Sequence, residues 1–231
     1  MREPWRNTLA QLFSSLGWDH FLENYGQLKL AKFLKKQPVS TYQSMLQLQR
    51  NAPLASSAGR LFDAVAAAIG LCQESVSFEG QAAMQLQGLA EEAYSAEDID
   101  SSSYPFAILE WKSNRLPYLE PQPMWQALLN DLVDGTPNAV IALRFHRGLA
   151  QGLWQIVQHL QTTRIDCRPV KQVVLSGGVF QNELLAQLLE RKLQAQGLSV
   201  LRPEAIPCND GGISLGQAMI AIARILDPQF P

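Results

Sequence analysis

Two pairs of adjacent glycines, each placed just before a helical pattern, constrain this sequence more than any other feature. Gly177-Gly178 follows the apolar run at 173–175, and Gly211-Gly212 precedes the apolar pattern at 213–225. A strand that ends in glycines leaves a turn without Cβ atoms beside the N–H groups of a helix, where a phosphate or a nucleotide edge can approach. A tight local strand–helix turn explains the same pattern. The motif is neither a P-loop nor a GxGxxG fingerprint.

The spacing of apolar residues predicts a helical front part and an α/β rear part. Residues 4–50 read as short helices punctuated by glycine and proline, and helical patterns follow at 58–71, from 79 through 89, at 123–134 and at 138–163. A β-hairpin is expected at 104–119, with its turn at 112–115. The pattern of the last third predicts a strand at 171–176, a helix at 180–196, a strand at 198–202 and a helix at 212–226. Such a βαβα unit requires parallel strands in one sheet.

Composition narrows the class of protein. The 231 residues are 47% hydrophobic and 17% charged with net charge −2, which is typical of a globular protein without a nucleic-acid footprint. No apolar run reaches the roughly 18 residues that a membrane span needs. The three cysteines are far apart and form no CxxC pair, so we expect neither a zinc finger nor a disulfide framework, and we expect a cytoplasmic protein.

Two polar residues beside the glycine turns are candidates for a site. Asn182, just after Ser176-Gly177-Gly178, offers an amide to a ribose or phosphate oxygen, or it forms only local hydrogen bonds. Asp210, just before Gly211, can hold a divalent cation, because hard cations prefer carboxylate oxygen, or it can cap the following helix.

Three further candidates lie elsewhere in the sequence. Asp63 falls on an alanine-rich helix, where it either accepts hydrogen bonds from ribose hydroxyls or pairs with Arg60 one turn back; the pair is favoured. Glu79 is either a cleft residue or a first-turn helix charge. His146 is a cleft candidate, although a lone helical histidine is more often a packing residue. No residue is identifiable as catalytic from the sequence.

Taken in order, six motifs resemble the C-terminal part of the hydrogenase maturation carbamoyltransferases, the HypF family. The resemblance covers essentially the whole chain, and the motifs are Arg2–Arg6, Ser56–Ala66, Phe78–Met84, Phe145-His146, Leu175–Asn182 and Asn209–Gln217. It implies an α/β, actin-like (RNase H-like) ATPase lobe, with a mixed sheet covered by helices on both faces. We therefore expect a helical segment at 1–50 and the second lobe of the carbamoyltransferase domain at 51–231.

The resemblance also implies chemistry. The family uses carbamoyl phosphate and ATP to form a carbamoyl adenylate, then transfers the carbamoyl group to the C-terminal cysteine of a partner, HypE, as the source of the cyanide ligand of the [NiFe] centre. By position, Ser176, Gly177, Gly178, Asn182 and Gly211 would line the nucleotide pocket. Asp63 would face the ribose, Gly59 would allow close approach, and Asp210 would bind magnesium or another divalent metal.

The family's two metal-binding histidines, spaced H-x-x-x-H in its first lobe, have no counterpart here. On this resemblance we expect the chain to lack that lobe and the family's N-terminal domains. The resemblance does not decide whether the chain is catalytically active without them. We also expect self-association through the exposed inter-lobe face, with no nucleic-acid or membrane partner. One alternative is a non-catalytic interaction module. The other is a relative of the tRNA threonylcarbamoyl-transfer enzymes, but the lack of a basic surface argues against this second alternative.

Overall fold

The computed structural model describes residues 2–95, 102–111, 116–162 and 170–227. The front part is helical, with α1 Trp5–Ser15, α2 Trp18–Tyr25, α3 Lys29–Leu34, α4 Val39–Gln47, α5 Ala58–Ala68 and α6 Gln81–Glu92. A hairpin of β1 Ala107–Glu110 and β2 Pro117–Glu120 precedes α7 Gln122–Val133 and α8 Asn138–Thr162. The rear part comprises β3 Gln172–Val174, α9 Glu183–Ala195, β4 Ser199–Leu201 and α10 Ile213–Leu226. The predicted hairpin turn at 112–115 lies outside the described residues.

Helix α1 packs closely against α5 because α5 presents small side chains. Ala64, Ala66 and Ala67 are at most 1% exposed, and without bulky side chains the two backbones can approach. At the contact the hydroxyl of Thr8 donates a hydrogen bond to the carbonyl of Ala64 over 2.8 Å. This contact joins the segment before residue 50 to the helices after it, and the division into two units at that point stays a prediction.

Helix α8 lies at the centre of the described core. Its middle turns are buried, and α6 and α9 pack along it, as do both strands of the hairpin. Gly148 lets the chain at Tyr104 approach, because a Cβ atom at Gly148 would lie 2.3 Å from the Tyr104 carbonyl oxygen. Beside this contact Asp131 accepts hydrogen bonds from the Tyr104 hydroxyl (2.6 Å) and from Arg144 (2.5 Å).

The rear part confirms the predicted βαβα unit. Strands β3 and β4 are parallel, with Val173 opposite Val200, and α9 connects them and covers one face. Val174 and Leu201 point to the opposite face and are exposed.

The mixed sheet expected from the resemblance is not formed by the described residues. Their strands make two separate pairs, one antiparallel (β1–β2) and one parallel (β3–β4). The first pair packs on α8, whereas β4 of the second pair packs on α9, so the two pairs are held against different helices. Helices on both faces are likewise not seen around the β3–β4 pair, whose second face is open.

Helix α10 differs from the other helices because almost all of its residues are exposed to solvent. Among its residues only Ala223 is partly buried, and Met219, Ile225 and Leu226 are 58%, 79% and 79% exposed. A helix with an apolar side of this length normally buries that side against another element. Within the described part of the chain, no helix has the length and apolar character needed to span a bilayer.

Substitution of Gly148 by alanine should destabilise the protein, whereas the same change at Gly88 should not. The new methyl at position 148 would overlap backbone atoms of Tyr104, which we expect to cost about 2 kcal/mol or more. Gly88 is an exposed residue of α6, and a Cβ atom at this position would have no neighbouring atom within 4 Å. Alanine there should therefore raise the free energy of unfolding by about 0.5–1 kcal/mol, because alanine has the higher helix propensity. Urea unfolding of both variants measures the difference, and equal effects would contradict the close approach at Gly148.

Candidate functional site

A cleft of ≈ 850 Å³ lies where four segments of the chain meet. Its walls come from the start of α5, the turn before α6 with the first turns of that helix, the turn before α9, and the turn at Asn209 and Asp210. The size is within the range of small-molecule sites, about 300–1,000 Å³. Of the residues predicted from the sequence, the structure brings together Gly59, Asp63, Glu79, Gly178, Asn182 and Asp210 at this cleft. It does not bring Ser176, Gly177, Gly211 or His146 to the lining.

The first glycine turn has a backbone that requires glycine. Gly177 has a φ of 100°, which a side chain rarely allows, and its N–H donates to the carbonyl of Cys208 over 2.8 Å. This bond ties the first turn to the segment that leads into the second. Gly178 then begins a 3₁₀ turn, Gly178–Gln181, and a Cβ atom there would have only Asn209 at 4.0 Å. The backbone at Gly178 is therefore open to the cleft.

Asn182 lines the cleft and also forms the local hydrogen bonds that were its alternative interpretation. It is the N-cap of α9, where its side-chain oxygen accepts the N–H of Leu185 over 2.9 Å. Its side-chain nitrogen lies 2.9 Å from Nε2 of His146. The residue is 8% exposed, so it joins the cleft wall to the core.

Asp63 is paired with Arg60, as the spacing of the two residues indicated. Nη1 of Arg60 lies 3.0 Å from the carboxylate, and the amide of Asn7 on α1 lies 3.5 Å from it. Burial raises the pKa of Asp63, and the neighbouring Arg60 offsets part of that increase. Gly59, one turn earlier, is not required by packing, because its Cβ would meet only Ser57 Oγ at 3.6 Å.

Glu79 lies at the cleft rather than in the first turn of a helix. Helix α6 begins at Gln81, and Gly80 is its N-cap with a left-handed φ of 82°. The first-turn interpretation of Glu79 is therefore wrong, because the glycine turn separates this residue from the helix. Its charge is close enough to raise the pKa of Asp63 further.

Asp210 is not the helix cap that its sequence position suggested as an alternative to metal binding. Asn209 caps the turn, accepting the N–H of Gly211 over 2.9 Å, and Asp210 is the first residue of a 3₁₀ turn before α10. Its exposed carboxylate forms no hydrogen bond or ion pair within the described residues. Those residues also contain no group of three or more ligands that could hold a metal ion alone. One carboxylate fits magnesium only together with phosphate oxygens and water.

His146 lies behind the cleft wall and is fully buried. Burial lowers the pKa of this imidazole to about 4, against smaller opposing effects of the Ala142 carbonyl and of Glu91. The ring therefore stays neutral near pH 7. The contact of Asn7 with Asp63 and that of His146 with Asn182 were not identified from the sequence, because each joins residues far apart in the chain.

The chain has an α/β fold with a βαβα unit, and glycine turns after the parallel strands help to form its cleft. These features define the protein class: the chain is a lobe of the actin-like fold. Residues 1–217 match the family described as the carbamoyltransferase, Kae1-like domain, second subdomain, and the chain belongs to this family.

Named relatives support this assignment. The chain is 34% identical over 224 residues to carbamoyltransferase HypF of Rhodobacter capsulatus, covering 96% of this chain and 26% of that protein. It is 32% identical to a HypF homolog of Cupriavidus necator, covering 95% of this chain and 52% of that protein. A crystal structure of full-length HypF in the phosphate- and nucleotide-bound form superposes with a TM-score of 0.77 at 32% identity, over 98% of this chain and 27% of that one. The chain thus spans about a quarter to half the length of these proteins.

The buried neutral imidazole should make the protein less stable in acid. Below pH 6.5 the unfolded chain protonates His146 while the folded chain does not until about pH 4, so the unfolded state binds more protons in this window. The free energy of unfolding should therefore fall by up to about 3 kcal/mol between these pH values. Urea unfolding from pH 7 to 4, compared with His146→Gln, measures this contribution. Parallel pH dependences in the two proteins would contradict it.

Proposed function

We propose that this chain is the nucleotide-binding lobe of a carbamoyltransferase that acts in [NiFe]-hydrogenase maturation. The observation that carries the proposal is the meeting of Gly178, Asp63 and Asp210 in one cleft, although they come from distant parts of the sequence. Family membership gives the reaction class, and the cleft gives a place for the nucleotide.

ATP and a carbamoyl adenylate are the ligands proposed for the cleft. The open backbone at Gly178 permits close approach of a phosphate, while Asp63 and Glu79 are acceptors suited to ribose hydroxyls. The cleft volume is sufficient for a ligand of this size. The nucleotide-bound form of full-length HypF, at 32% identity, is further support.

The charge of the cleft predicts that a divalent cation accompanies the nucleotide. Three carboxylates, those of Asp63, Glu79 and Asp210, line the cleft with one guanidinium, that of Arg60. This balance repels the phosphates of a bare nucleotide. Magnesium bound through Asp210 and phosphate oxygens would neutralise part of the ligand's charge, and other ligands would have to come from outside the described residues.

In the complete reaction, carbamoyl phosphate, water and ATP would yield the carbamoyl adenylate, phosphate and pyrophosphate. A thiolate would then attack the carbamoyl carbon of the adenylate and release AMP. The acceptor is the C-terminal cysteine of HypE, whose thiocarbamate becomes the source of the cyanide ligand. We propose a cytoplasmic setting for this chemistry. This chain's residues would bind and orient the adenylate, and full activity would require the parts of the longer relatives that the chain does not span.

The first test is calorimetric titration of the chain with ATP, with and without magnesium. We expect binding that requires magnesium, and we expect Asp210→Ala to raise the Kd about tenfold or more with magnesium present, because the cation loses a carboxylate ligand.

Asp19→Ala is the matched control, because Asp19 is also an exposed carboxylate at a helix start but lies on α2, away from the cleft. Its Kd should equal that of the wild type. Equal Kd values for Asp210→Ala and wild type would count against a metal role for Asp210. No binding by the wild-type chain would contradict nucleotide binding by this lobe alone.

A second candidate function is a protein-interaction module, and the exposed apolar surface favours it. Helix α10 carries Leu215, Met219, Ile222 and Leu226 along one side, and all four are exposed. Separately, the open face of the β3–β4 pair exposes Val174 and Leu201. An exposed apolar surface of this kind is typical of an interaction site. We propose that the isolated chain self-associates through the apolar side of α10.

Sedimentation velocity tests the self-association. The double variant Met219→Lys/Ile222→Lys places charges on the apolar side of α10 and should shift the chain toward monomer. Leu54→Lys is the control, since Leu54 is 84% exposed but lies outside this surface. A monomeric wild type, or equal sedimentation of all three proteins, would contradict the proposal.

A further inference from the structure

A single buried imidazole contacts both walls of the cleft. His146, on α8, is 0% exposed. On one side its Nε2 lies 2.9 Å from the side-chain nitrogen of Asn182, which begins α9. On the other side the ring of Phe62, on α5, packs edge-on with its centroid 5.3 Å from that of the imidazole. Phe62 and Asn182 both line the cleft.

The hydrogen bonds around His146 can run in only one direction. The N–H of Leu185 can only donate, so the Asn182 atom 2.9 Å from it must be the side-chain oxygen. The side-chain nitrogen of Asn182 therefore faces His146 and donates to Nε2. At the far side of the ring Nδ1 lies 2.8 Å from the carbonyl of Ala142, which can only accept. Two backbone groups thus fix the tautomer of His146 with its proton on Nδ1.

This arrangement leaves Asn182 with one N–H group that it can donate to a ligand. Its oxygen is held by the helix start, and one of its two N–H groups is held by His146. The second N–H has no partner among the described residues. At the cleft Asn182 can therefore donate this N–H, which suits a phosphate or ribose oxygen.

We propose that His146 is a positioning residue: its Nε2 holds the Asn182 amide so that the remaining N–H is presented to an oxygen of the bound nucleotide. The ring also sets the separation between α5 and the glycine turn, because it contacts Phe62 and Asn182 together. This inference rests on the proposed nucleotide function. It assigns no contact between His146 and the ligand.

Two substitutions at position 146 separate hydrogen bonding from packing. His146→Phe keeps an aromatic ring beside Phe62 but removes the acceptor for Asn182. His146→Gln keeps an acceptor near the place of Nε2 and loses the ring. A residue with only a packing role should tolerate phenylalanine at least as well as glutamine, because the core around it is closely packed.

The ligand-free test is NMR of the Asn182 side-chain amide in all three folded proteins. We expect the Asn182 proton bonded to Nε2 to be shifted and protected from exchange in the wild type and in His146→Gln, and to lose both properties in His146→Phe. Unchanged Asn182 amide signals in His146→Phe would overturn the proposal.

The ligand test is titration with magnesium and ATP. We expect the Kd of His146→Phe to rise about tenfold, because the Asn182 amide is no longer oriented, and that of His146→Gln to stay within about threefold of the wild type. Equal affinities of His146→Phe and wild type would overturn the positioning role. If the wild type does not bind, the proposed function of the isolated chain fails, and the ligand-free amide signals still decide whether His146 holds Asn182.

Discussion

The burial of helix α8 is the constraint on which the remaining structure depends. Its apolar middle turns can be removed from water only if other elements cover them, and α6 and α9 do so along its length. Both of these helices begin at the cleft, α6 after Glu79 and α9 at Asn182. The position of each helix on α8 therefore sets the position of its first turn at the site. The chemistry of the cleft is in this sense determined by apolar packing behind it.

Local patterns in the sequence were enough to predict the elements that carry the site. The period of apolar residues identified α5, α8 and α9, and the βαβα order predicted the parallel pairing of β3 and β4. The three-residue spacing of Arg60 and Asp63 correctly indicated an ion pair, because residues one helical turn apart are neighbours. A turn at Gly177-Gly178 was predictable because adjacent residues determine it, although the hydrogen bond from Gly177 to Cys208 joins this turn to a distant segment.

Most of what the sequence did not predict depends on contacts between distant parts of the chain, although one misplaced helix cap is a local choice among neighbours. Asp210 was expected as a possible cap of the last helix, but Asn209 caps the 3₁₀ turn that precedes this helix, and Gly212 is the N-cap of α10. The expected mixed sheet needed parallel and antiparallel strands to share an edge, and in the described residues they form two separate pairs instead. The contacts of Asn7 with Asp63 and of His146 with Asn182 leave no trace in local spacing, because they exist only once the helices are packed.

The excess of carboxylates in the cleft determines how its affinity for an anionic ligand should change with ionic strength. In a basic phosphate site, dissolved ions screen attraction and weaken binding as ionic strength rises. Here three carboxylates face one guanidinium, so the same screening acts mainly on repulsion between the cleft and an anionic ligand. A nucleotide entering without a divalent cation should be held slightly better, not worse, as monovalent salt increases. The lobe would thus have a salt dependence opposite in sign to that of a site built from lysine and arginine.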